Sequence, residues 1–231
     1  MGSSKLSEVI GATKGILFDF DGPICEVFAG RPAPGVAREL SEVVARHDAT
    51  LGGKARGVDD PMEILRLSTQ GGELVIRAVE ESLTKAEVSA VKVAGPPIPG
   101  AVAALEAAHS SGRRVAVVSN NSTACVRAFL MLHGLRHLVH EVIGRAAYWP
   151  DLMKPDPYSL LLAAARLHIR PDHCTLIGDS VTDVEAARAA GSASIGFANK
   201  QHKRLALAEV GADVVVYDMT TVANALMSNP G

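Results

Sequence analysis

Two aspartates separated by one residue, Asp19 and Asp21, close the apolar run from Gly15 to Phe18, and Gly22 follows at once. A short apolar run without polar alternation reads as a buried parallel strand. In an open α/β sheet, ligands bind beyond the carboxyl ends of the strands, so both carboxylates face a crevice. The strand period of two puts Asp19 and Asp21 on one side and Phe20 on the other. Carboxylates this close repel unless a cation neutralises them or one keeps a proton, which points to a divalent metal, to acid/base chemistry, or to both. Gly22 lets the chain turn sharply beside them. Ser119 follows the apolar run Val115 to Val118, and Asp179 follows Thr175 to Gly178, with Asp183 four residues further on. Lys154 precedes Pro155, Asp156 and Pro157, where prolines hold the loop in fixed geometry. Carboxylates, a hydroxyl and a lysine at one sheet edge make a phosphate-plus-cation site, and Mg²⁺ commonly takes one or two carboxylates together with substrate phosphate.

The elements that must position these residues follow from periodicity. From Gly100 onward, helix and strand alternate: helices over 101–110, 157–168, 181–190 and 203–210, and strands over 115–118, 139–143, 174–177, 193–197 and 214–217. Such alternation predicts a parallel sheet with helices on both faces, a Rossmann-like doubly wound α/β core. Residues 23–95 differ in character, being charged, rich in helix formers and without a convincing strand. Val36, Leu40, Val43 and Val44 share one stripe of a first helix. Asp60, Pro61 and Glu63 open a second with a cap, a proline at the first helical position and an early acid, and 73–92 make a third. Pro96, Pro97 and Pro99 end this unit. The expected organisation is therefore a core of 1–22 and 96–231 with an inserted helical cap over 23–95. The first fourteen residues carry no signal-peptide apolar region and read as a plain flexible terminus.

With four segments in place, in order, the chain resembles the haloacid dehalogenase superfamily. The segments are Asp19 to Ile24, Val117 to Ser122, Lys154 to Pro157 and Ile177 to Asp183. The likeness covers residues 14 to 220 and is to the phosphatase-like branch with a helical cap, which includes phosphoglycolate phosphatase and β-phosphoglucomutase. It implies that Asp19 is a nucleophile forming an aspartyl-phosphate. Asp21 would protonate the leaving oxygen and then activate water. Ser119, the Asn120 backbone and Gly22 would meet the phosphoryl group, with Lys154 neutralising it. Mg²⁺ would be held by Asp19, the Asp21 backbone carbonyl and Asp179, with Asp183 orienting the water or the metal shell. Pro23 stands where the family usually has Thr or Val. In the resemblance, the cap's specificity loop falls on the glycine-rich stretch 49–58, so Lys54 or Arg56 is expected to contact the substrate, with Arg56 preferred for a planar bidentate contact.

The same residues admit plainer roles. Asp179 and Asp183 could simply cap a helix, and Ser119 could be a turn residue, but each loses force beside the other motifs. His133, His137 and His140 do not make a metal site, since Gly134 interrupts the helix between the first two. Cys25, Cys125 and Cys174 are scattered and indicate neither disulfides nor a zinc site. A phospho-receiver module would place its acidic pair and its phosphorylated aspartate on different strands and has no helical insert. A β-phosphoglucomutase-like phosphotransferase shares every motif, and a silent binding protein would share the fold. With 231 residues, net charge −2 and 48% hydrophobic residues, the chain shows no basic footprint for nucleic acid and no apolar run long enough for a bilayer. The expectation is a cytoplasmic Mg²⁺-dependent phosphatase of a small phosphorylated metabolite, monomeric or homodimeric.

Overall fold

Six parallel strands form the core of the molecule, and the computed structural model describes residues 2–230. In chain order the strands are β1 (Gly15–Phe18), β2 (Arg114–Val118), β3 (Glu141–Ile143), β4 (Cys174–Gly178), β5 (Ala193–Phe197) and β6 (Val214–Val216). Their spatial order is β3-β2-β1-β4-β5-β6, with every pairing parallel. The chain winds outward from β1 to β3 and then returns to the other side of β1. The switch point therefore lies between β1 and β4, where a doubly wound sheet opens a crevice.

Both faces of the sheet are covered, which is why its strands are apolar without alternation. Ile16 and Phe18 of β1 join one core with Leu6 and Ile10 of α1 (Gly2–Gly11), Leu105 of α6 (Ala101–Ser110), Phe129 of α7 (Thr123–Leu132) and Leu226 of α11 (Met219–Ser228). Leu17, one residue over, joins the opposite core with Leu160 of α8 (Tyr158–Leu167) and Ala186 of α9 (Val181–Ala190). The remaining core helix, α10 (Lys203–Glu209), buries Leu207 against Val184 and Ala198.

Between β1 and α6 come α2 (Ala33–His47), α3 (Ala49–Ala55), α4 (Pro61–Leu67) and α5 (Gly72–Val91). Val36, Leu40, Val44, Leu51, Ile64, Leu65, Val79 and Leu83 give them an apolar cluster of their own. Asp60 caps α4 through the Met62 N–H at 2.8 Å, with Pro61 in its first turn. The long α5 serves both regions: Val75, Val79 and Leu83 pack in the helical cluster, whereas Ala90 and Val91 pack in the core around β1.

Three segments depart from the expectations above. The stretch read as a flexible terminus is α1, whose Leu6 and Ile10 are buried one turn apart. The stretch read as a glycine-rich loop is mostly helix α3, because its glycine is a packing device: a Cβ on Gly52 would lie 2.4 Å from the Ala45 Cβ of α2. Beyond β6, where no element was expected, α11 buries Met219, Val222, Ala223 and Leu226 and is capped by Asp218. Among the described residues, no helix is long and apolar enough to cross a membrane.

Candidate active site

Because β1, β2 and β4 are adjacent and parallel, their carboxyl ends deliver Asp19, Ser119 and Asp179 to one edge. These residues line a cavity of about 750 Å³, together with Asp21, Gly22, Asn120 and Lys154. The Lys154 ammonium is 2.7 Å from Asp19 Oδ1 and 2.6 Å from Asp183 Oδ1, and all three side chains are buried. Asp19 Oδ1 also accepts from the Phe20 N–H at 2.7 Å, so among the described residues both the ion pair and the hydrogen bond fall on that oxygen. The Lys154 backbone is held too: its N–H donates to Asn120 Oδ1 at 2.8 Å, and its carbonyl accepts from Asn120 Nδ2 at 3.2 Å.

Electrostatics follow from burial and from sharing one cation between two anions. Burial, then the nearby Asp183 charge, pushes Asp19 well above the usual carboxylate range against the pull of Lys154. Burial would raise Asp183 as well, but Lys154 and the Ser180 donors outweigh it and hold that carboxyl below its ordinary value. For Lys154, burial works against the charged form, yet Asp183 and Asp19 together raise it, so the ammonium stays protonated. Burial pushes Asp21 up to about 6, against the Val27 N–H that donates to its Oδ1 at 2.9 Å.

Gly22 is dictated by space as well as backbone. It has φ of 113°, and a Cβ there would lie 2.3 Å from the Asp179 carboxyl carbon. Ser180 caps α9 in a capping box with Asp183, which reconciles the bland and the functional readings of that aspartate. Asp183 accepts from Ser180 with Oδ2 while holding Lys154 with Oδ1, so it is a helix-start residue and part of the charge cluster at once.

Oxygens of Asp19, Asp179 and Asp183 lie within 4.8 Å of one another, a hard-donor set of the kind Mg²⁺ prefers. Asp21, expected to serve the metal through its backbone carbonyl, sits beside this trio with its carboxylate turned to Val27. Two partners of Asp179 had no signal in the sequence. Asn199 Nδ2 donates to its Oδ2 at 3.0 Å, and the Lys203 ammonium pairs with the same oxygen.

The expected cap contacts fall elsewhere. Lys54 is exposed on α3 and donates to Gln70 at 3.2 Å; Arg56 is the exposed residue ending that helix; and neither lines the cavity. Forming α3 turns both outward, and the inserted helical segment lines the cavity instead through Met62, Glu63 and Arg66 of the next helix, α4, through its N-cap Asp60, and through residues ahead of and at the start of α2, Phe28, Ala29 and Ala33 among them. Arg66 reaches the site and donates to the Lys154 carbonyl at 3.0 Å.

Known proteins resemble this chain in sequence and in fold. A phosphoglycolate phosphatase of Rhodospirillum rubrum is 28% identical over 232 residues, covering 91% of this chain and 90% of its own. One from Pasteurella multocida is 29% identical over 128 residues, so there the match spans 55% of this chain and only 56% of the relative. The chain thus spans about half the length of some curated relatives that it matches. Among solved structures, a β-phosphoglucomutase of Clostridium difficile superposes with a TM-score of 0.67 at 20% identity, covering 94% of this chain and 98% of that one. The model of haloacid dehalogenase-like hydrolases matches residues 13–191, which take in β1, the helical insert, and every strand-end residue described above up to the glycine capping α9; the chain belongs to that family.

Proposed function

We propose that the protein is a Mg²⁺-dependent phosphomonoester hydrolase acting through an aspartyl-phosphate on Asp19, with a small anionic phosphorylated metabolite as substrate. The observation that carries this reading is the Asp19 carboxylate, pinned through Oδ1 by Lys154 and the Phe20 N–H at the floor of the cavity.

In this reading Asp19 Oδ2 attacks phosphorus while Lys154 and the Ser119–Asn120 turn hold the phosphoryl oxygens; positioning and charge neutralisation dominate such transfers. Asp21 donates its proton to the departing oxygen and later takes one from the water that cleaves the acyl phosphate. A carboxyl raised to about 6 holds its proton closer to neutrality than an ordinary aspartate does. Asp19, Asp179 and the Asp21 backbone carbonyl would hold Mg²⁺, and Asp183, both of whose oxygens are engaged, serves chiefly to hold Lys154. When bound, the ion adds positive charge against the phosphoryl oxygens and relieves the repulsion among the carboxylates. Arg66 on the cap side and Lys200 on the core side give the cavity cations for an anionic leaving group, which fits the phosphoglycolate phosphatase relatives.

The test is release of orthophosphate from a panel of phosphorylated acids and sugars, with and without Mg²⁺, by wild type, Asp19→Asn and Arg66→Ala. Support is Mg²⁺-dependent release that Asp19→Asn abolishes and that Arg66→Ala weakens for anionic leaving groups alone. Full activity in Asp19→Asn rejects the reading, and transfer of phosphate between sugar positions instead of release assigns the chain to the phosphotransferases.

A further inference from the structure

Outside the strand-end residues lies a second buried charge cluster. Arg145, in the loop after β3, is fully buried and faces Glu80, Thr84 and Glu87, which lie along one side of α5. Its Nε donates to both Glu80 oxygens at 2.9 Å, one terminal nitrogen donates to Glu87 Oε1 at 2.6 Å, and the other to Thr84 Oγ1 at 3.1 Å. Buried ion pairs of this kind are poor instruments of stability, because desolvation offsets much of the attraction. A different role is suggested by what else the cluster touches.

Among the described residues, its other side-chain and backbone hydrogen bonds outside α5 fall on the turn that follows β2. Arg145 donates from its side chain to the Asn120 carbonyl at 3.2 Å and from its backbone N–H to the Asn121 carbonyl at 3.0 Å. Glu87 accepts from Asn121 Nδ2 at 3.1 Å and from the Ser122 N–H at 3.0 Å. Asn121 in turn engages Ser119: its N–H donates to Ser119 Oγ at 3.0 Å, and its Oδ1 lies 3.2 Å from that hydroxyl. The Asn120 side chain meanwhile clasps the Lys154 backbone. The loop bearing Arg145 can come this close only because Gly144 precedes it, where a Cβ would stand 2.2 Å from the Thr123 nitrogen.

We propose that Arg145, held by Glu80 and Glu87 of α5, is a positioning residue that fixes the Ser119–Ser122 turn in its phosphoryl-binding shape. Through it, the helix that carries the cap sets the geometry of the phosphate contact. The inference rests on the phosphatase reading for the role of Ser119 and Asn120, but its test needs no turnover.

The experiment is calorimetric binding of orthophosphate to the Mg²⁺-loaded protein, for wild type, Arg145→Met, Arg145→Lys and Glu87→Gln, with Mg²⁺ affinity measured separately. Arg145→Met and Glu87→Gln are expected to weaken orthophosphate binding about tenfold or more, as loss of supporting contacts commonly does, while leaving Mg²⁺ affinity unchanged. Arg145→Lys restores the charge but not the fork, so it should recover thermal stability further than orthophosphate affinity. Orthophosphate binding within twofold of wild type in the folded variants overturns the proposal, as does a wild type that binds no orthophosphate. Wild-type binding without hydrolysis of any monoester overturns the phosphatase reading alone. Should the first variants fail to fold, Glu80→Gln keeps the Glu87 pair and is expected to weaken orthophosphate binding about threefold; no change there is equally decisive against the idea.

Discussion

Replacing Lys154 by Met removes the one ammonium shared by two buried carboxylates, and the structure gives the size of the effect. At 2.7 and 2.6 Å, the contacts to Asp19 and Asp183 are each worth about 6 kcal/mol of attraction at an effective dielectric of ~20. Most of that is offset by the desolvation of the three groups. What the substitution exposes is the asymmetry: without the cation, two carboxylates remain buried and unneutralised, a situation that costs about 3–5 kcal/mol. Since a domain is stable by only about 5–15 kcal/mol, Lys154→Met should lose a large part of its stability at pH 7.5 in EDTA. The pH dependence has a definite sign. In wild type, Asp183 lies below its ordinary value, so its contribution is present at neutral pH and lost as pH falls through that lowered value. In the variant, burial without the cation raises both carboxyls above their unfolded values, so protonating them relieves the penalty. The deficit relative to wild type should therefore be largest at pH 7.5 and shrink by pH 5. Urea unfolding of both proteins at the two pH values measures it. A deficit under about 1 kcal/mol at pH 7.5, where a buried pair is broken, or one that grows on acidification, refutes the assignment of Lys154 as the cluster's counter-ion.

Two further substitutions test the local geometry. Gly22→Ala places a residue with a Cβ at φ 113° against the Asp179 carboxylate; the backbone alone should cost about 1–3 kcal/mol. Mg²⁺ titration should also show weakened binding, and a variant matching wild type in both melting temperature and Mg²⁺ affinity would show that the turn is looser than described. His140 has a lowered pKa, from burial first and then the Arg114 and His109 charges, and its Nδ1 accepts from the Val115 N–H at 3.0 Å. Its contribution to stability is thus present above the ordinary histidine value of ~6.5 and is lost as pH falls through its lowered value. His140→Asn, which keeps an acceptor, should lose less melting temperature than wild type between pH 7.5 and 5.5, and equal losses would remove His140 from the account.

Local pattern made most of this structure legible. Strands buried on both faces read as unbroken apolar runs, and each motif follows such a run, so Asp19, Ser119 and Asp179 could be placed at strand ends, and on one edge of the sheet, from the sequence alone. Where the reading failed, a local signal was overridden or left unused. Gly52 and Gly53 suggested a loop, but helix packing needs the absent Cβ of Gly52 more than it suffers from the weak helix propensity. In α11, the spacing of Met219, Val222, Ala223 and Leu226 behind the Asp218 cap is a regular helical pattern that could have been found. The Arg145 cluster could not. Its partners lie 58 and 65 residues away in sequence, and no periodicity connects a loop arginine to glutamates on α5. Arg66 and Lys203 belong to the same class, placed by tertiary packing of segments whose own patterns say only that they are helical.

A covalent phosphoryl group on Asp19 can be caught by chemical trapping. Asp21→Asn, loaded with Mg²⁺ and given an aryl phosphate whose leaving group needs no proton, should form the acyl phosphate and hydrolyse it slowly. Rapid quenching followed by borohydride reduction, then peptide mass spectrometry, should find residue 19 converted to homoserine. Conversion at another residue, or steady release of phosphate with residue 19 unaltered at every time point, would contradict the account.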